Sequence, residues 1–296
     1  MNNKIIKGIV LAAGTGTRLH PITLGVSKQL LPIYNKPMIY YPIAVLMLAG
    51  IKEILIISSP KDLKNYKYLL GNGNTFGITF TYAVQRSPNG LAEAFLIADN
   101  FIGKDSCCLI LGDNIFFGNN FNKKLKIAIQ QNIGATIFAY QVHNPKKFAV
   151  IEFDNNSKII SIQEKPKSPK SNWVITGLYI YNNKVLDYAK QIIPSSRGEL
   201  EITAINQLYL QSNKLHVELL GRGLTWLDAG TYDSLFEASA FVKTIEKRQG
   251  YKIACLEEIA WQNGWLSDLE IKQLSKKLTK NSYSKYLQNL LYVNKR

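Results

Sequence analysis

Short apolar runs that alternate with helix-length segments are the feature that most limits the folds open to this chain. The predicted strands cover residues 5–13, 51–58, 78–84 and 107–111, and the predicted helices cover residues 38–49, 62–70 and 91–101. Such alternation indicates βαβ units and an open, mostly parallel sheet. Ligands of these sheets bind at the carboxyl ends of the strands, so the polar loops after residues 13 and 111 should lie at one rim.

The pattern changes after residue 134, where strands follow one another with brief polar connections. Predicted strands cover residues 135–141, 149–153, 159–163 and 174–181, and helical segments cover residues 200–211, 232–248 and most of 256–292. Successive short strands favour antiparallel pairing or an inserted smaller antiparallel sheet. We therefore predict an α/β protein whose main unit spans residues 1–250, with a helical C-terminal segment at 251–296 in the same globular unit.

Composition narrows the class of protein. Hydrophobic residues make up 46% of the 296-residue chain and charged residues 19%, which suits a packed core and disfavours wholesale disorder. No apolar run approaches the roughly 20 residues that span a bilayer, so we expect a cytoplasmic protein that does not enter the membrane. Adjacent Cys107 and Cys108 would point to opposite faces of a strand, so we expect reduced core cysteines and no disulfide between them.

The formal net charge of +15 raises the possibility of nucleic-acid binding. The excess lies in scattered lysines, with a modest concentration between Lys272 and Lys280, and the sequence has no arginine-rich arm. We therefore predict no nucleic-acid partner, although a basic surface would attract a triphosphate. A nucleic-acid-binding protein stays open as an alternative, and it would show steeply salt-dependent affinity for generic DNA.

A glycine-containing segment, LAAGTGTRLHP, runs from the end of the first predicted strand, Leu11, to Pro21. Glycines after a strand allow backbone N–H groups to approach phosphate oxygens closely. The segment lacks the Gly-Lys-Ser/Thr of a P-loop and the third glycine of a dinucleotide fingerprint, so by itself it fits phosphate binding and an ordinary turn equally well. Arg18 and Lys28 add two cations that could clamp a triphosphate.

Several motifs in a fixed order carry a resemblance to a known family. LAAGTGTRLHP is followed by SKQLLPIYNKPMIYYP, AVQRSPNGLAEAF, LGDNIFFG, QEKP, TGLYIY, RGELEIT, WLDAGT and a late EEIA. This series covers nearly the whole chain and resembles the sugar nucleotidyltransferases, in particular the glucose-1-phosphate thymidylyltransferases. The resemblance implies a Rossmann-like nucleotidyltransferase fold, dTTP and glucose 1-phosphate as substrates, Mg²⁺ as cofactor, and a homotetramer.

At the nucleotide end, the resemblance implies that Asp113 and Asp228 hold Mg²⁺, a hard cation that prefers carboxylate oxygen. Read alone, each aspartate would suit a turn or a helix cap. Gln85 and the backbone at Gly90 would contact the pyrimidine base. The predicted nucleotide-binding residues are Leu11, Gly14, Thr15, Gly16, Thr17, Arg18, Gln85, Gly90, Leu111 and Asp113.

At the sugar end, the resemblance implies that Glu164 accepts hydrogen bonds from sugar hydroxyls and that Lys165 and Arg197 hold the sugar phosphate. A surface ion pair is the simpler reading of Glu164 and Lys165. The predicted sugar-phosphate-binding residues are Ala149, Glu164, Lys165, Gly177, Tyr179 and Arg197. The predicted catalytic residues are Arg18, Lys28, Asp113, Lys165 and Asp228.

A few positions depart from the family pattern. Ala13 stands where glycine is usual, which is costly only if φ is positive there. Phe148 and Ala149 replace a Tyr-Gly pair beside the sugar pocket, which leaves the identity of the sugar open. Ala204 replaces an aspartate, with no clear consequence.

The predicted reaction is a single in-line displacement, in which the sugar phosphate attacks the α-phosphorus of dTTP and pyrophosphate leaves. Open alternatives are a nucleotidyltransferase that uses another nucleoside triphosphate or hexose 1-phosphate, and a catalytically silent nucleotide-sugar-binding subunit. The resemblance further implies feedback inhibition by a dTDP-sugar bound between subunits, for which Arg222 and Glu258 are candidate contacts.

Overall fold

The computed structural model describes residues 6–278 and 281–293. Its strands are β1 (Ile6–Ala12), β2 (Pro32–Ile33), β3 (Lys36–Pro37), β4 (Glu53–Ser58), β5 (Thr79–Val84), β6 (Ser106–Leu111), β7 (Asn114–Gly118), β8 (Ala135–Gln141), β9 (Ala149–Phe153), β10 (Ile159–Glu164), β11 (Trp173–Tyr181), β12 (Leu215–Leu220) and β13 (Leu224–Asp228). Its α-helices are α1 (Tyr40–Leu48), α2 (Leu63–Leu70), α3 (Glu93–Ile97), α4 (Asp99–Ile102), α5 (Phe121–Gln131), α6 (Val185–Gln191), α7 (Ile202–Gln211), α8 (Tyr232–Gln249), α9 (Leu256–Gln262), α10 (Asp268–Lys277) and α11 (Ser282–Val293).

A large mixed sheet, with nine strands in the described part of the chain, forms the centre of the fold. Its main path is β10-β9-β11-β6-β1-β4-β5, and β8 joins it by pairing with β11 and β12. β1 lies parallel between β4 and β6, whereas β11 runs antiparallel to β6, β8 and β9. The predicted parallel half and the predicted antiparallel pairing are both confirmed, and the antiparallel strands of the second half continue the central sheet.

Two short antiparallel ribbons accompany this sheet. β2 pairs with β3, and β7 pairs with β13. The second ribbon places Asp228 directly opposite Asn114. Because Asn114 is the neighbour of Asp113, this pairing brings together two aspartates that lie far apart along the chain. Neither β7 nor β13 is predicted from the sequence pattern.

Each face of the central sheet covers a hydrophobic core. Cys107 packs on one face in a cluster that includes Phe95, and Cys108 packs on the other face in a cluster that includes Val10. Opposite directions of neighbouring side chains are what the two-residue period of a strand requires. Both cysteines, together with Cys255, are buried and free of disulfides, which confirms the prediction of reduced core cysteines.

One predicted helix is interrupted in the structure. The helix predicted over residues 91–101 is divided into α3 and α4 at Ala98, where φ is −88° and ψ is 4°. In the C-terminal part, Asn263 after α9 donates a hydrogen bond of 3.2 Å to the carbonyl oxygen of Met47 in α1. The last helices thus contact the first one, while a division of the chain at residue 250 stays a prediction. Within the described residues, no helix has the length and apolar character of a membrane span.

Glu246, near the end of α8, is the centre of a buried polar cluster. Its Oε1 accepts from Lys36 Nζ at 2.8 Å and from the Ile253 backbone N–H at 3.0 Å. Its Oε2 accepts from Asn35 Nδ2 at 2.6 Å, and the side chains of Lys36 and Glu246 are only 2% and 6% exposed. One carboxylate therefore joins α8, the β2–β3 ribbon and the segment that leads into α9.

We predict that Glu246→Ala lowers the free energy of unfolding by about 3–5 kcal/mol, because the buried Lys36 ammonium loses its counter-charge. Urea unfolding followed by circular dichroism measures this loss. The control is Lys170→Ala, which removes an exposed ammonium paired with Glu152 at 3.1 Å and should cost at most about 1 kcal/mol. Equal losses in the free energy of unfolding for the two substitutions would contradict the claim that burial makes the Lys36–Glu246 ion pair important for stability.

Candidate active site

A cavity of about 850 Å³ opens at the carboxyl ends of β1 and β6. Register explains its position, because Leu11 and Leu111 are paired and the Gly112 N–H donates to the Leu11 carbonyl oxygen at 2.9 Å. The loops after the two strands therefore leave the sheet at one level, as predicted. The predicted site residues that line the cavity are Leu11, Gly14, Arg18, Lys28, Gln85, Gly90, Leu111, Asp113, Ala149, Glu164, Lys165, Gly177, Tyr179, Arg197 and Asp228.

Part of the glycine-containing segment points elsewhere. Thr15, Gly16 and Thr17 do not line the cavity. Gly16 has a left-handed φ of 67°, and its carbonyl oxygen accepts a hydrogen bond of 2.7 Å from Thr23 Oγ1. Their proposed nucleotide contacts stay predictions. Ala13 lines the cavity without a positive φ, so alanine causes no backbone strain at this position.

Asp113 is a buried carboxylate paired with a buried ammonium. Lys28 is 8% exposed, and its Nζ donates to Asp113 Oδ2. Burial alone would raise the pKa of Asp113, but the charge and hydrogen bond of Lys28 and a hydrogen bond from Asn114 outweigh it. The pKa of Asp113 therefore lies below its ordinary value, and the carboxylate is ionised at neutral pH.

Asp228 is the second carboxylate, and its environment acts in the opposite direction. Burial and the negative charge of Asp113 raise the pKa of Asp228 to about 6, although Lys28 and Arg18 partly offset them. Gly230 makes room for this arrangement, because a Cβ there would lie 2.7 Å from Arg18 Nη2 and 3.1 Å from Asp228 Oδ1. Two carboxylates and two cations thus share one end of the cavity.

Asn114 fixes the position of Asp113, and the sequence pattern does not single it out. Its Nδ2 donates to Asp113 Oδ1 at 3.0 Å. Its Oδ1 accepts from the Gly177 N–H at 2.9 Å and from Trp226 Nε1 at 2.6 Å. A Cβ at Gly177 would lie 2.6 Å from Asn114 Oδ1, so only glycine permits this contact. The only sequence signal for Asn114 is its place directly after Asp113.

The donor set at Asp113 and Asp228 fits a hard divalent cation that keeps other ligands. Residues 6–278 and 281–293 contain no group of three or more His, Cys, Asp or Glu side chains that could enclose a metal. Two carboxylates beside an open cavity suit Mg²⁺, which usually takes one or two carboxylates and completes its shell with water and phosphate oxygen. A cation here would also reduce the repulsion that raises the Asp228 pKa.

Glu164, which also lines the cavity, ends β10 and faces several polar partners. Thr203 Oγ1 donates to Glu164 Oε2 at 2.6 Å, and Lys165 Nζ lies 3.8 Å from Glu164 Oε1. Lys165 has a φ of 43°, a left-handed conformation that is rare outside glycine. Its N–H donates to the Phe148 carbonyl oxygen at 3.1 Å, which ties this turn to the strand beside it. Neither Thr203 nor this backbone conformation is predicted from the sequence.

Arg197 reaches the cavity among carboxylates. Its Nη2 and Nε donate to Glu201 Oε1 at 2.6 and 3.0 Å. The same Nη2 lies 3.4 Å from Glu199 Oε2 and 3.6 Å from Glu164 Oε1. The side chain is 37% exposed, so an anion in the cavity could reach the guanidinium. These carboxylate neighbours raise the pKa of Arg197, although burial opposes them.

Phe148 and Ala149 also line the cavity, and Ala149 pairs with Glu164 across β9 and β10. The Phe148 ring packs against Trp226 with a centroid distance of 5.3 Å and an angle of 64° between the rings. Trp226 in turn donates a hydrogen bond to Asn114. Phe148 therefore contacts the hydrogen-bond network that holds Asp113. The sequence identifies the departure at Phe148 but not this contact.

Known proteins are similar in sequence to this chain over most of its length. The nucleotidyl transferase family profile matches residues 7–245. The chain belongs to this family. It is 58% identical over 286 residues to the glucose-1-phosphate thymidylyltransferase of Neisseria meningitidis, covering 97% of this chain and 99% of that protein. It is 50% identical over 286 residues to the enzyme of the same name from Mycolicibacterium smegmatis, again covering 97% of this chain and 99% of the relative.

Solved structures with related sequences share the fold. A Bacillus anthracis protein described as a candidate glucose-1-phosphate thymidylyltransferase superposes with a TM-score of 0.74 at 42% identity, covering 80% of this chain and 94% of that one. A UDP-glucose pyrophosphorylase complexed with UDP-glucose superposes with a TM-score of 0.68 at 25% identity, covering 81% of this chain and 99% of that one. The expected nucleotidyltransferase fold is therefore confirmed.

The opposite pKa shifts of the two aspartates lead to a stability prediction for protein treated with a chelator. At about pH 8, Asp228→Asn should raise the free energy of unfolding by about 1–3 kcal/mol, because it removes a carboxylate that is ionised at a cost. Since the folded pKa is about 6 and the unfolded value is 3.8, this gain should shrink as the pH falls through that window and vanish below it.

The matched variant is Asp113→Asn, which should destabilise the protein at the same pH because Lys28 loses its partner. Urea unfolding across a pH series measures both variants. Destabilisation of similar size by both substitutions would contradict the opposite shifts.

Proposed function

We propose that this protein transfers a thymidylyl group from dTTP to glucose 1-phosphate, which yields dTDP-glucose and pyrophosphate. Two kinds of support agree. Relatives with 50–58% identity over nearly the full length carry the name of this activity. The cavity joins a carboxylate-and-cation end, at Asp113 and Asp228, to an end with Glu164, Lys165 and Arg197.

The observation that carries the proposal is the placement of these two charged groups in one cavity. Transfer requires the triphosphate and the sugar phosphate to lie side by side, since an oxygen of one attacks the phosphorus of the other. The cavity volume of about 850 Å³ is large enough for both substrates together. Separate pockets for the two groups would not permit direct transfer.

Asp113 and Asp228 would hold Mg²⁺. The bound ion would supply charge neutralisation at the phosphates. Lys28 keeps Asp113 ionised, and Asn114 holds the direction of that carboxylate. Arg18, placed against Gly230 beside Asp228, would stabilise the negative charge that develops on the leaving pyrophosphate.

The displacement itself needs no general base. The phosphate of glucose 1-phosphate is already anionic near neutral pH, and one of its oxygens forms a bond to the α-phosphorus while the bond to the bridging oxygen of the pyrophosphate breaks. Lys165 and Arg197 would orient the attacking phosphate, and Glu164 would accept from sugar hydroxyls. Catalysis then consists mainly of positioning and electrostatic stabilisation.

Arg197 would exchange partners when the sugar phosphate binds. A phosphate can accept two parallel N–H hydrogen bonds from a guanidinium, whereas Arg197 Nε and Nη2 both donate to the same Glu201 oxygen, Oε1. Glu199 and Glu201 would then hold the guanidinium in place before substrate arrives and release part of it afterwards. Their negative charge would also disfavour other anions that lack this geometry.

Several finer expectations from the family resemblance belong to the same proposal. They are a homotetrameric assembly, a cytoplasmic location, and feedback inhibition by a dTDP-sugar that contacts Arg222 and Glu258. Arg222 is exposed between β12 and β13, and Glu258 Oε2 accepts from Tyr286 OH at 2.6 Å. Sedimentation with and without a dTDP-sugar would test the assembly and its ligand together.

The activity itself is tested by pyrophosphate release from purified protein with Mg²⁺ and glucose 1-phosphate, comparing dTTP, UTP, GTP, CTP and ATP. We expect fast release with dTTP that depends on the sugar phosphate. Asp113→Asn should abolish turnover while circular dichroism stays unchanged. Release without sugar phosphate would refute transfer to the sugar, and no release with any nucleotide or hexose 1-phosphate would favour a silent binding subunit.

For the sugar end, we predict that Lys165→Ala lowers kcat/KM for glucose 1-phosphate by about 100-fold or more and leaves dTTP binding unchanged, because only the attacking phosphate loses a contact. Steady-state kinetics and calorimetry with dTTP measure the two effects. Lys167→Ala is the control, since Lys167 is exposed and does not line the cavity. A matching loss in dTTP affinity would contradict the assignment of Lys165 to the sugar phosphate.

A further inference from the structure

Gln85 follows β5 and lines the cavity with a side chain that is 6% exposed. Its Nε2 donates to Glu93 Oε2 at 2.7 Å and to the Gly90 carbonyl oxygen at 3.1 Å. Glu93, in the first turn of α3, also accepts from Asn89 Nδ2 through its other oxygen at 2.9 Å. One carboxylate therefore holds both the Gln85 amide and the loop that follows it.

The chemistry of these partners determines which end of the Gln85 amide faces them. A carbonyl oxygen and a carboxylate can accept hydrogen bonds but cannot donate them, so the NH₂ group of Gln85 must face both. The amide oxygen is then turned away from Glu93. Among residues 6–278 and 281–293, no protein donor is found at Gln85 Oε1. Gln85 thus offers the cavity an acceptor.

The loop that carries the Gly90 carbonyl is held against a second loop. The Leu200 N–H donates to the Asn89 carbonyl oxygen at 2.6 Å, and the Ala92 N–H donates to the Leu200 carbonyl oxygen at 3.1 Å. Gly90 has a φ of 112°, and a Cβ there would lie 2.4 Å from the Leu200 oxygen. This close backbone packing keeps the Gly90 carbonyl aimed at Gln85, so the amide has two fixed acceptors on one side.

We propose that Glu93 is a positioning residue that determines which pyrimidine base the cavity accepts. By holding the Gln85 oxygen toward the cavity, Glu93 favours a base with a ring N–H donor. Thymine and uracil have this donor at N3, whereas N3 of cytosine carries a lone pair that would face the lone pairs of Gln85 Oε1. The inference rests on the proposed function and adds to it the residue that sets the direction of this hydrogen bond.

The first test removes the N3–H donor from the ligand and compares the wild-type protein with Glu93→Leu. With the wild-type protein, 3-methyl-dTTP should bind at least about tenfold more weakly than dTTP, as the loss of one buried hydrogen bond predicts. With Glu93→Leu the difference should become smaller, because an untethered amide no longer depends on that donor. Equal losses in both proteins would overturn the role of Glu93.

The second test compares dTTP with dCTP in binding by calorimetry and in kcat/KM with glucose 1-phosphate. Glu93→Leu should reduce the preference for dTTP by about tenfold, since Gln85 can turn its NH₂ group toward cytosine N3. Glu93→Gln should retain most of the preference, because its amide oxygen can still accept from Gln85. Loss of affinity for both nucleotides at an unchanged ratio would indicate a structural role only and would overturn the proposal.

The matched control is Asp99→Leu, which removes a carboxylate from the next helix, α4, where it pairs with Lys190 on the surface at 2.9 Å. We expect its nucleotide preference to equal that of the wild-type protein. The ratio of dTTP to dCTP affinity can be measured without turnover. The proposed function and the role of Glu93 can therefore be refuted independently of each other. Absent catalysis with an intact dTTP preference would refute the proposed function alone, whereas a wild-type protein that binds dCTP as well as dTTP would overturn the assignment of Glu93.

Discussion

Two carboxylates buried side by side repel each other, and much of this cavity is arranged around that repulsion. Asp113 is ionised because Lys28 lies against it, while burial and the negative charge of Asp113 raise the pKa of Asp228 to about 6. Gly230 admits Arg18 to the second carboxylate, and Asn114 holds the first one in place. Gly230 thus leaves space for the Arg18 guanidinium, and Asn114 fixes the direction of the Asp113 carboxylate. Unfavourable electrostatic repulsion of this kind is expected at a functional site, where some folding stability is lost in order to hold the functional groups in place.

Local patterns were sufficient to predict the rim of the sheet. Apolar runs ending at polar loops identify β1 and β6, and parallel pairing then places Asp113 near Gly14. The meeting of Asp113 with Asp228 could not be derived this way, because it depends on the ribbon between β7 and β13, whose partners are more than a hundred residues apart. β7 is also short and directly follows the motif, so its own periodicity is too brief to read.

Most of the residues that the family resemblance assigns to the site line the cavity, but the resemblance does not predict their partners. Arg197 was expected beside a phosphate, and the structure shows its guanidinium among three glutamates. The left-handed φ of 43° at Lys165 likewise cannot be inferred from residue type. Conversely, Thr15 and Thr17 match the motif and yet lie outside the cavity lining. A motif thus identifies the segment, and backbone geometry decides which side chains face the ligand.

β11 is the strand on which both ends of the cavity meet. Its later part pairs with β6, beside the carboxylates, and Val174 in its earlier part pairs with β9, the strand that also pairs with Glu164. The register changes between Ile175 and Tyr179, and Gly177 sits in that irregular stretch. The strands beside Glu164 therefore join the strands beside the two aspartates through this one irregular stretch. Over evolutionary time, such a layout would let relatives diversify the acceptor sugar while the chemistry of nucleotide activation stayed unchanged.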